Sequence, residues 1–169
     1  MIHKRSLTLT ILLIILSSIF VWQIAAATSR KELLQQFCLN NQATNGGFKD
    51  VAASSTDDVT LFSSFANIFI LYQIDLNLKM ITELKTVQEY FKDGLDAFVS
   101  AEAGVLSDVA YSYNGSLLTN ADLTGDLVDS MSEKIFNFQN ESTFGFGNKY
   151  AQEANLADTY YALSILKTS

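Results

Sequence analysis

The stretch "TFGFGNKYAQEANLADTYYAL", residues 143–163, combines a glycine–aromatic turn, a polar gap, an aspartate and an apolar helix. Two upstream stretches share this order: "NGGFKDVAASSTDDVTLFSSF" begins at residue 45, and "LDAFVSAEAGVLSDVAYSY" begins at residue 95. The aspartates of the three stretches, Asp58, Asp108 and Asp158, lie 50 residues apart. Self-similarity at such a period predicts structural repeats that stack side by side and bury one another's apolar faces.

Each repeat is predicted to be a helix, a turn and a second helix. Before each turn, apolar residues recur every three or four positions, which is the pattern of an amphipathic helix. The chain contains no proline and no sustained alternation of apolar and polar residues, and both features favour helices over strands. The sequence therefore predicts an all-α domain of three tandem helical hairpins of about 50 residues each. The repeats are placed at residues 30–76, 77–121 and 122–169.

The recurring turn and aspartate have a structural explanation. Gly46, Gly47 and Gly145 permit the positive φ that a chain needs where a helix ends and the backbone reverses. The adjacent phenylalanine is expected to fill the space between the two helices. Each aspartate is expected at the start of the second helix, where its carboxylate accepts hydrogen bonds from free N–H groups and complements the helix dipole.

The first 27 residues form a separate segment. A basic start, His3 to Arg5, precedes an almost purely apolar run and the small residues Ala25 to Ala27. This layout is typical of a cleaved signal peptide. The run from Leu7 to Ala27 is also long enough for an uncleaved membrane anchor. Both interpretations export residues 28–169, to the cell exterior, the endoplasmic reticulum lumen or the outer face of the membrane. In both, the chain meets the membrane only through this segment.

The exported part is acidic. Lys4 and Arg5 belong to the leader, so residues 28–169 contain 9 Lys+Arg against 18 Asp+Glu. Binding to nucleic acid through a basic surface is therefore not expected. The triplets beginning at Asn114 and Asn140 are N-glycosylation sequons, which indicate exposed loops in a chain that is glycosylated.

The single cysteine, Cys38, cannot form an internal disulfide bond. Its neighbours place it on an apolar helix face, which favours a buried core thiol. A nucleophilic cysteine needs a histidine partner, and the chain's one histidine, His3, lies in the leader.

The turn and helix motifs resemble the repeats of the protein prenyltransferase β-subunit and terpene cyclase superfamily, which form an α/α toroid. The residues that carry the resemblance are "FCLNNQATNGGFKD" and "FGFGNKYAQEANLADTYYALSIL", while the middle repeat matches poorly. The resemblance covers about residues 30–166. It implies that the second helices line a central cavity and that the first helices form an outer ring. The chain is also similar to the lumenal helical domain of the oligosaccharyltransferase subunit ribophorin II, which is secretory and toroid-like without an active site.

The superfamily's catalytic motifs are missing. Its zinc site looks like Asp-x-Cys at the start of an inner helix plus a histidine, and no cysteine follows Asp58, Asp108 or Asp158 in this way. The Asp-x-Asp-Asp motif of terpene cyclases is also absent. No metal or other cofactor is therefore expected. The three aspartates remain candidates for a cavity enzyme, either prenyltransferase- or cyclase-like or acting on glycans through paired carboxylates.

Three hairpins are too few to close a toroid, so an aromatic concave face is expected to stay open. Its residues are predicted to be Phe62, Phe65, Phe69, Tyr111, Tyr113, Tyr160 and Tyr161. So large an apolar face needs a cover, which could be a second copy, another protein, a lipid or further repeats of a longer chain. The leading hypothesis is a non-catalytic exported binding or scaffold domain that uses this face. The alternatives are the cavity enzyme and a fragment of a larger toroid protein.

Overall fold

A computed structural model describes residues 30–50, 59–74, 84–101, 104–147 and 153–167. The chain divides into two compact units, Met1–Phe37 and Cys38–Ser169. The leader predicted at residues 1–27 and the aspartate at position 58 lie outside the described residues.

The described residues form six helices and no β-strand, which confirms the all-α prediction for this part of the chain. Helix α1 is described over residues 30–40. The others are α2 (Leu61–Gln73), α3 (Leu84–Ser100), α4 (Leu106–Thr119), α5 (Gly125–Phe136) and α6 (Leu156–Leu166). Among the described residues, no helix is both long and apolar enough to cross a membrane.

Helices α2 to α6 pack in two layers. In one layer, α4 packs against both α2 and α6; in the other, α3 packs against α5. The layers meet where α3 packs on α4 and α5 on α6. The α3–α4 contact is close because Gly115 lies against the ring of Phe91, and a Cβ atom at position 115 would approach that ring to 2.4 Å. Successive helices from α2 to α6 therefore lie in alternate layers.

The core consists of two apolar clusters. The first joins the turn after α1 to α2 and α3 and contains Cys38, Phe48, Ile68, Leu71, Val87 and Phe91. The second joins α3 to α6 and is built around Leu95, Phe98, Val109, Met131, Ile135 and Phe146. Cys38 is fully buried, and burial raises the pKa of its thiol. The predicted core position of this cysteine is confirmed.

The first and third turns share a pattern of backbone hydrogen bonds, although the third turn is one residue longer. Within each turn, one backbone hydrogen bond of 2.8 Å closes the loop. Ala43 N donates to Gly47 O in the first turn, and Asn140 N donates to Gly145 O in the third. The residue after each phenylalanine bonds back across the turn, as Lys49 N to Asn41 O and Gly147 N to Phe138 O. Isolated bridges pair Gln42 with Phe48 and Gln139 with Phe146. The repeat seen in the sequence is therefore a repeat of backbone structure at these two turns.

Both turns are attached to the next helix through a hydroxyl group. Phe48 N donates to Ser64 Oγ at 2.8 Å, and Phe146 N donates to Thr159 Oγ1 at 2.9 Å. Ser64 and Thr159 are each the fourth residue of their helix, α2 and α6. The two phenylalanine side chains are buried, as predicted.

The middle connection has a different structure. Phe98 lies within α3, two residues before its end, so it is not equivalent to Phe48 although the two are 50 residues apart. Its ring stacks on Phe138 with centroids 5.9 Å apart. The end of α3 is held by Lys134 of α5, whose Nζ donates to the carbonyl oxygens of Phe98, Val99 and Ala101. A long-range side chain thus stabilises the end of α3, whereas the first and third turns are closed by their own backbone hydrogen bonds.

Candidate functional site

The starts of α2, α4 and α6 define which helix position each repeated aspartate occupies. The residues that precede these helices are Thr60, Val105 and Asn155. Thr60 forms a capping box with Ser63, and Asn155 Oδ1 accepts a hydrogen bond from Asp158 N at 2.9 Å. Val105 provides no side-chain cap.

The aspartates do not occupy the cap position that the sequence suggested. Asp108 and Asp158 are each the third residue of their helix, so they match each other. The third residue of α2 is Ser63. In α2 the residue that corresponds to Asp108 and Asp158 is therefore Ser63, and not Asp58. The polar side chain that caps α6 is Asn155. The aspartates still complement the helix dipole, because they lie in the first turn.

The two described aspartates lie in different surroundings. Asp158 is buried and accepts a hydrogen bond from the side-chain amide of Asn155. Asp108 borders a cavity of about 220 Å³, between the start of α4 and the end of α3. Partial burial raises the pKa of the Asp108 carboxyl, and a hydrogen bond with Ser107 acts in the opposite direction. Within the described ranges, no group of three or more His, Cys, Asp or Glu side chains lies close enough to hold a metal ion.

The aromatic side chains predicted on the second helices form a continuous surface. We call Phe62, Phe65, Phe69, Tyr111, Tyr160 and Tyr161 the aromatic surface. Its ring contacts run without a break from α2 through α4 to α6, with centroids 5.4 to 5.9 Å apart. Phe62 is 57% exposed and Tyr160 is 68% exposed, so the surface is open to solvent at both ends.

Tyr111 is the centre of the aromatic surface. Its ring contacts those of Phe62, Phe65 and Tyr161, and the hydroxyl oxygens of Tyr111 and Tyr161 lie 3.0 Å apart. Burial, together with the hydrogen bond to Tyr161, raises the pKa of Tyr111 to about 12. Both tyrosines are the sixth residue of their helix, so the contact joins the same position of α4 and α6.

Tyr113 does not belong to this surface, although the sequence analysis placed it there. Its side chain is only 3% exposed and lies in the second core cluster. The physical reason is the helical period. Side chains two residues apart on an α-helix differ in direction by about 200° around the helix axis. The side chains of residues 111 and 113 therefore point to opposite sides of α4.

The helices that carry the aromatic surface have almost no charge. Helices α2, α4 and α6 contain two charged side chains, Asp108 and Asp158, and no lysine or arginine. In contrast, α3 alone contains five charged residues and α5 contains four. The charge is therefore concentrated on one layer and nearly absent from the other.

The two predicted glycosylation sites differ in structure. Asn114 lies inside α4, its Nδ2 donates to Ala110 O at 2.8 Å, and the hydroxyl of Ser116 is buried. Asn140 lies in the third turn, where its Oδ1 accepts from Ser142 N and Thr143 N, each at 3.0 Å. The expected loop is thus present at Asn140 and absent at Asn114.

A second group of exposed aromatic residues was missed by the sequence analysis. Phe136 and Phe144 flank an open cleft of about 620 Å³ beside the third turn. Phe144 has φ +57°, and it is equivalent to Gly46 of the first turn, which has φ +87°. The predicted positive φ therefore falls on Phe144 and not on Gly145. Aligning Phe144 with Gly46 in the repeat is the signal that could have identified it.

Comparisons of this chain with protein-family models, with curated proteins and with solved structures find no match. Its function is therefore inferred from the described residues.

Proposed function

We propose that the chain is an exported, non-catalytic scaffold domain of the α/α-toroid type, and that its aromatic surface binds a second copy of the chain. The observation that supports this proposal is the unbroken line of aromatic rings across α2, α4 and α6. Exposed apolar areas of this kind mark interaction sites in soluble proteins.

The two layers support a toroid-type arrangement. The second helices of the hairpins, α2, α4 and α6, share one layer, and the first helices α3 and α5 share the other. The resemblance implies this alternation, with the second helices facing inward. The matching turns at Phe48 and Phe146 support a common hairpin unit. In such a domain the aromatic surface belongs to the inner side.

The charge distribution favours a protein surface over a membrane surface as the cover. An anionic membrane is bound through lysine and arginine, and α2, α4 and α6 contain neither. The whole chain has a net charge of −7. A lipid headgroup layer would therefore meet an acidic protein without a basic contact.

A second copy fits the same charge distribution. Two copies of residues 28–169, each with 18 Asp+Glu against 9 Lys+Arg, repel each other over most of their surfaces. Repulsion is smallest where α2, α4 and α6 face their counterparts, because Asp158 is buried and only Asp108 is exposed. Closed pairs that use the same surface twice are the commonest assemblies of identical chains. The aromatic surface is thus the place where two copies approach at the lowest electrostatic cost.

Sedimentation equilibrium of the purified chain tests this proposal. The wild-type chain is expected to form dimers, and the double variant Phe62→Lys, Tyr160→Lys is expected to associate at least tenfold more weakly. Both side chains are more than half exposed, so their replacement is expected to leave the fold intact, as circular dichroism will show. Asp96→Lys on the charged layer is the matched control and is expected to dimerise at least as well as the wild type.

Two outcomes overturn the proposal. One is a wild-type chain that stays monomeric over the whole concentration range. The other is a dimer that the double variant forms as tightly as the wild type, since association would then use another surface. Binding of the monomer to phosphatidylcholine vesicles, lost in the double variant, would instead identify a lipid as the cover.

A further inference from the structure

The cleft beside the third turn has the features of a sugar site. Its volume is about 620 Å³, and two exposed aromatic rings, Phe136 at 54% and Phe144 at 74%, stand among polar side chains. The polar lining includes the amides of Asn137, Gln139 and Asn140. Aromatic rings pack on the C–H face of a pyranose, and amides bond to its hydroxyl and acetamido groups. The cleft thus offers both kinds of contact that an amphipathic sugar ring makes.

Phe144 is held in an unfavourable backbone conformation without compensation from burial. A left-handed φ of +57° is unfavourable for a residue that carries a β-carbon. The first turn avoids this cost because Gly46 occupies the equivalent position. Most of the Phe144 side chain is exposed to solvent, so little apolar burial offsets the cost. Strain combined with exposure points to a contact that lies outside the polypeptide.

The turn presents the side chain of Asn140 for modification. Its Oδ1 is engaged by the backbone N–H groups of Ser142 and Thr143. This leaves Nδ2, the atom to which sugars are attached, without a hydrogen bond in the described structure. Gln139 Nε2 donates to Phe144 O at 3.1 Å and holds the exposed phenylalanine beside the cleft. The sequon and the cleft therefore belong to one local structure.

We propose that Asn140, and not Asn114, is N-glycosylated, and that the first N-acetylglucosamine of its glycan lies in the cleft between Phe136 and Phe144. The donor is a lipid-linked oligosaccharide pyrophosphate supplied by the secretory pathway. A bond forms between Asn140 Nδ2 and C1 of the sugar while the bond from C1 to the pyrophosphate oxygen breaks. Nδ2 loses one proton, and the lipid pyrophosphate departs as the leaving group.

This inference depends on the export that belongs to the proposed function, and the first experiment separates the two. The full chain is produced in insect cells, its location is determined, and its tryptic peptides are analysed by mass spectrometry. A glycan at Asn140 is expected on the exported chain. Ser142→Ala should abolish it, because the sequon hydroxyl is removed while Asn140 and its backbone bonds are kept. Ser142→Thr preserves the sequon and is the matched control.

The possible results have different consequences. A chain that stays in the cytosol overturns export and, with it, glycosylation. A chain that is exported with Asn140 unmodified, or with a glycan at Asn114, overturns the site assignment alone and leaves the scaffold proposal intact. Dimerisation through the aromatic surface is measured separately, so its failure is not confused with either result.

A second measurement tests whether the sugar occupies the cleft. The melting temperature of the glycosylated chain is expected to exceed that of Ser142→Ala by about 3 °C, the shift expected from about 1 kcal/mol in a chain of this size. In a Phe144→Gly background this difference should disappear, while the unglycosylated variant itself should melt higher because the backbone strain is relieved. Phe136→Ala provides a second background. An undiminished difference in both backgrounds overturns the contact between sugar and cleft.

Discussion

The first and third turns and the middle connection join successive helices of the chain by different means. At residues 41–49 and 138–147 the backbone closes its own turn, and a buried phenylalanine is attached to the next helix through Ser64 or Thr159. Among the residues described between α3 and α4, none of these bonds is present, and Lys134 from α5 binds the carbonyl groups at the end of α3 instead. Connections between successive helices are thus stabilised in one case by local backbone bonds and in another by a long-range side chain.

The residue type at the fourth position of α2, α4 and α6 explains which kind of connection precedes each helix. The fourth residue of α2 is Ser64 and that of α6 is Thr159, and both provide a hydroxyl group. The fourth residue of α4 is Val109, whose buried side chain cannot accept a hydrogen bond. A turn of the first type would leave its phenylalanine N–H unsatisfied there. The middle hairpin therefore lacks the anchor that the other two turns use.

The phenylalanines give the largest expected effect. Phe48→Ala and Phe98→Ala should each lower the free energy of unfolding by about 3–5 kcal/mol, since both remove a large buried side chain from a core cluster. Urea denaturation measures the loss. Leu156→Ala is the control, and as an exposed residue it should change stability by about 0.5 kcal/mol or less. A cost below 1 kcal/mol for Phe98→Ala would show that the middle connection does not depend on its phenylalanine.

The sequence predicted the parts of the fold that depend on local pattern. The helical period identified alternating helices, and the glycine–phenylalanine pairs identified two turns that share their hydrogen bonds. The aromatic surface was also found, except that Tyr113 was included, because residues were chosen by type without their angle around α4. The aromatic surface forms because α2, α4 and α6 lie side by side. The predicted repeat implies this arrangement.

The features that the sequence did not reveal depend on register or on distance. The 50-residue spacing of the aspartates suggested a cap, but Asp108 and Asp158 are the third residues of their helices. The spacing between the aspartates is the same whether they precede their helices or lie in the first turn, so the spacing alone cannot distinguish the two positions. Lys134 acts on α3 from 33 to 36 residues away in the chain, so no local pattern predicts it.

Lys134 is the next test of the comparison. Lys134→Met keeps the apolar stem but removes the donor to three carbonyl groups at the end of α3, and it should cost about 2–3 kcal/mol. The ammonium also lies 5.1 Å from the centre of the Phe98 ring, and burial lowers its pKa. Chemical denaturation at pH 7 measures the change.

The matched control for this variant is Lys85→Met. Lys85 is exposed and forms an ion pair with Glu89 at 3.6 Å on the surface of α3, so its replacement should cost about 0.5 kcal/mol or less. Equal effects of the two substitutions, or a gain in stability in Lys134→Met, would mean that the end of α3 does not need the buried ammonium.

The hydroxyl anchors give the smallest expected effect. Ser64→Ala and Thr159→Val each leave a phenylalanine N–H without its acceptor, at a cost of about 1–2 kcal/mol. Ser64 should cost more, because its bond is buried while that of Thr159 is partly exposed to water. Hydrogen exchange of the Phe48 and Phe146 amides, compared with Ser130→Ala on the exposed side of α5, measures each effect where it arises. If exchange accelerates at neither amide, the two turns are held by their own backbone bonds, and the hydroxyl at the fourth position does not distinguish them from the middle connection.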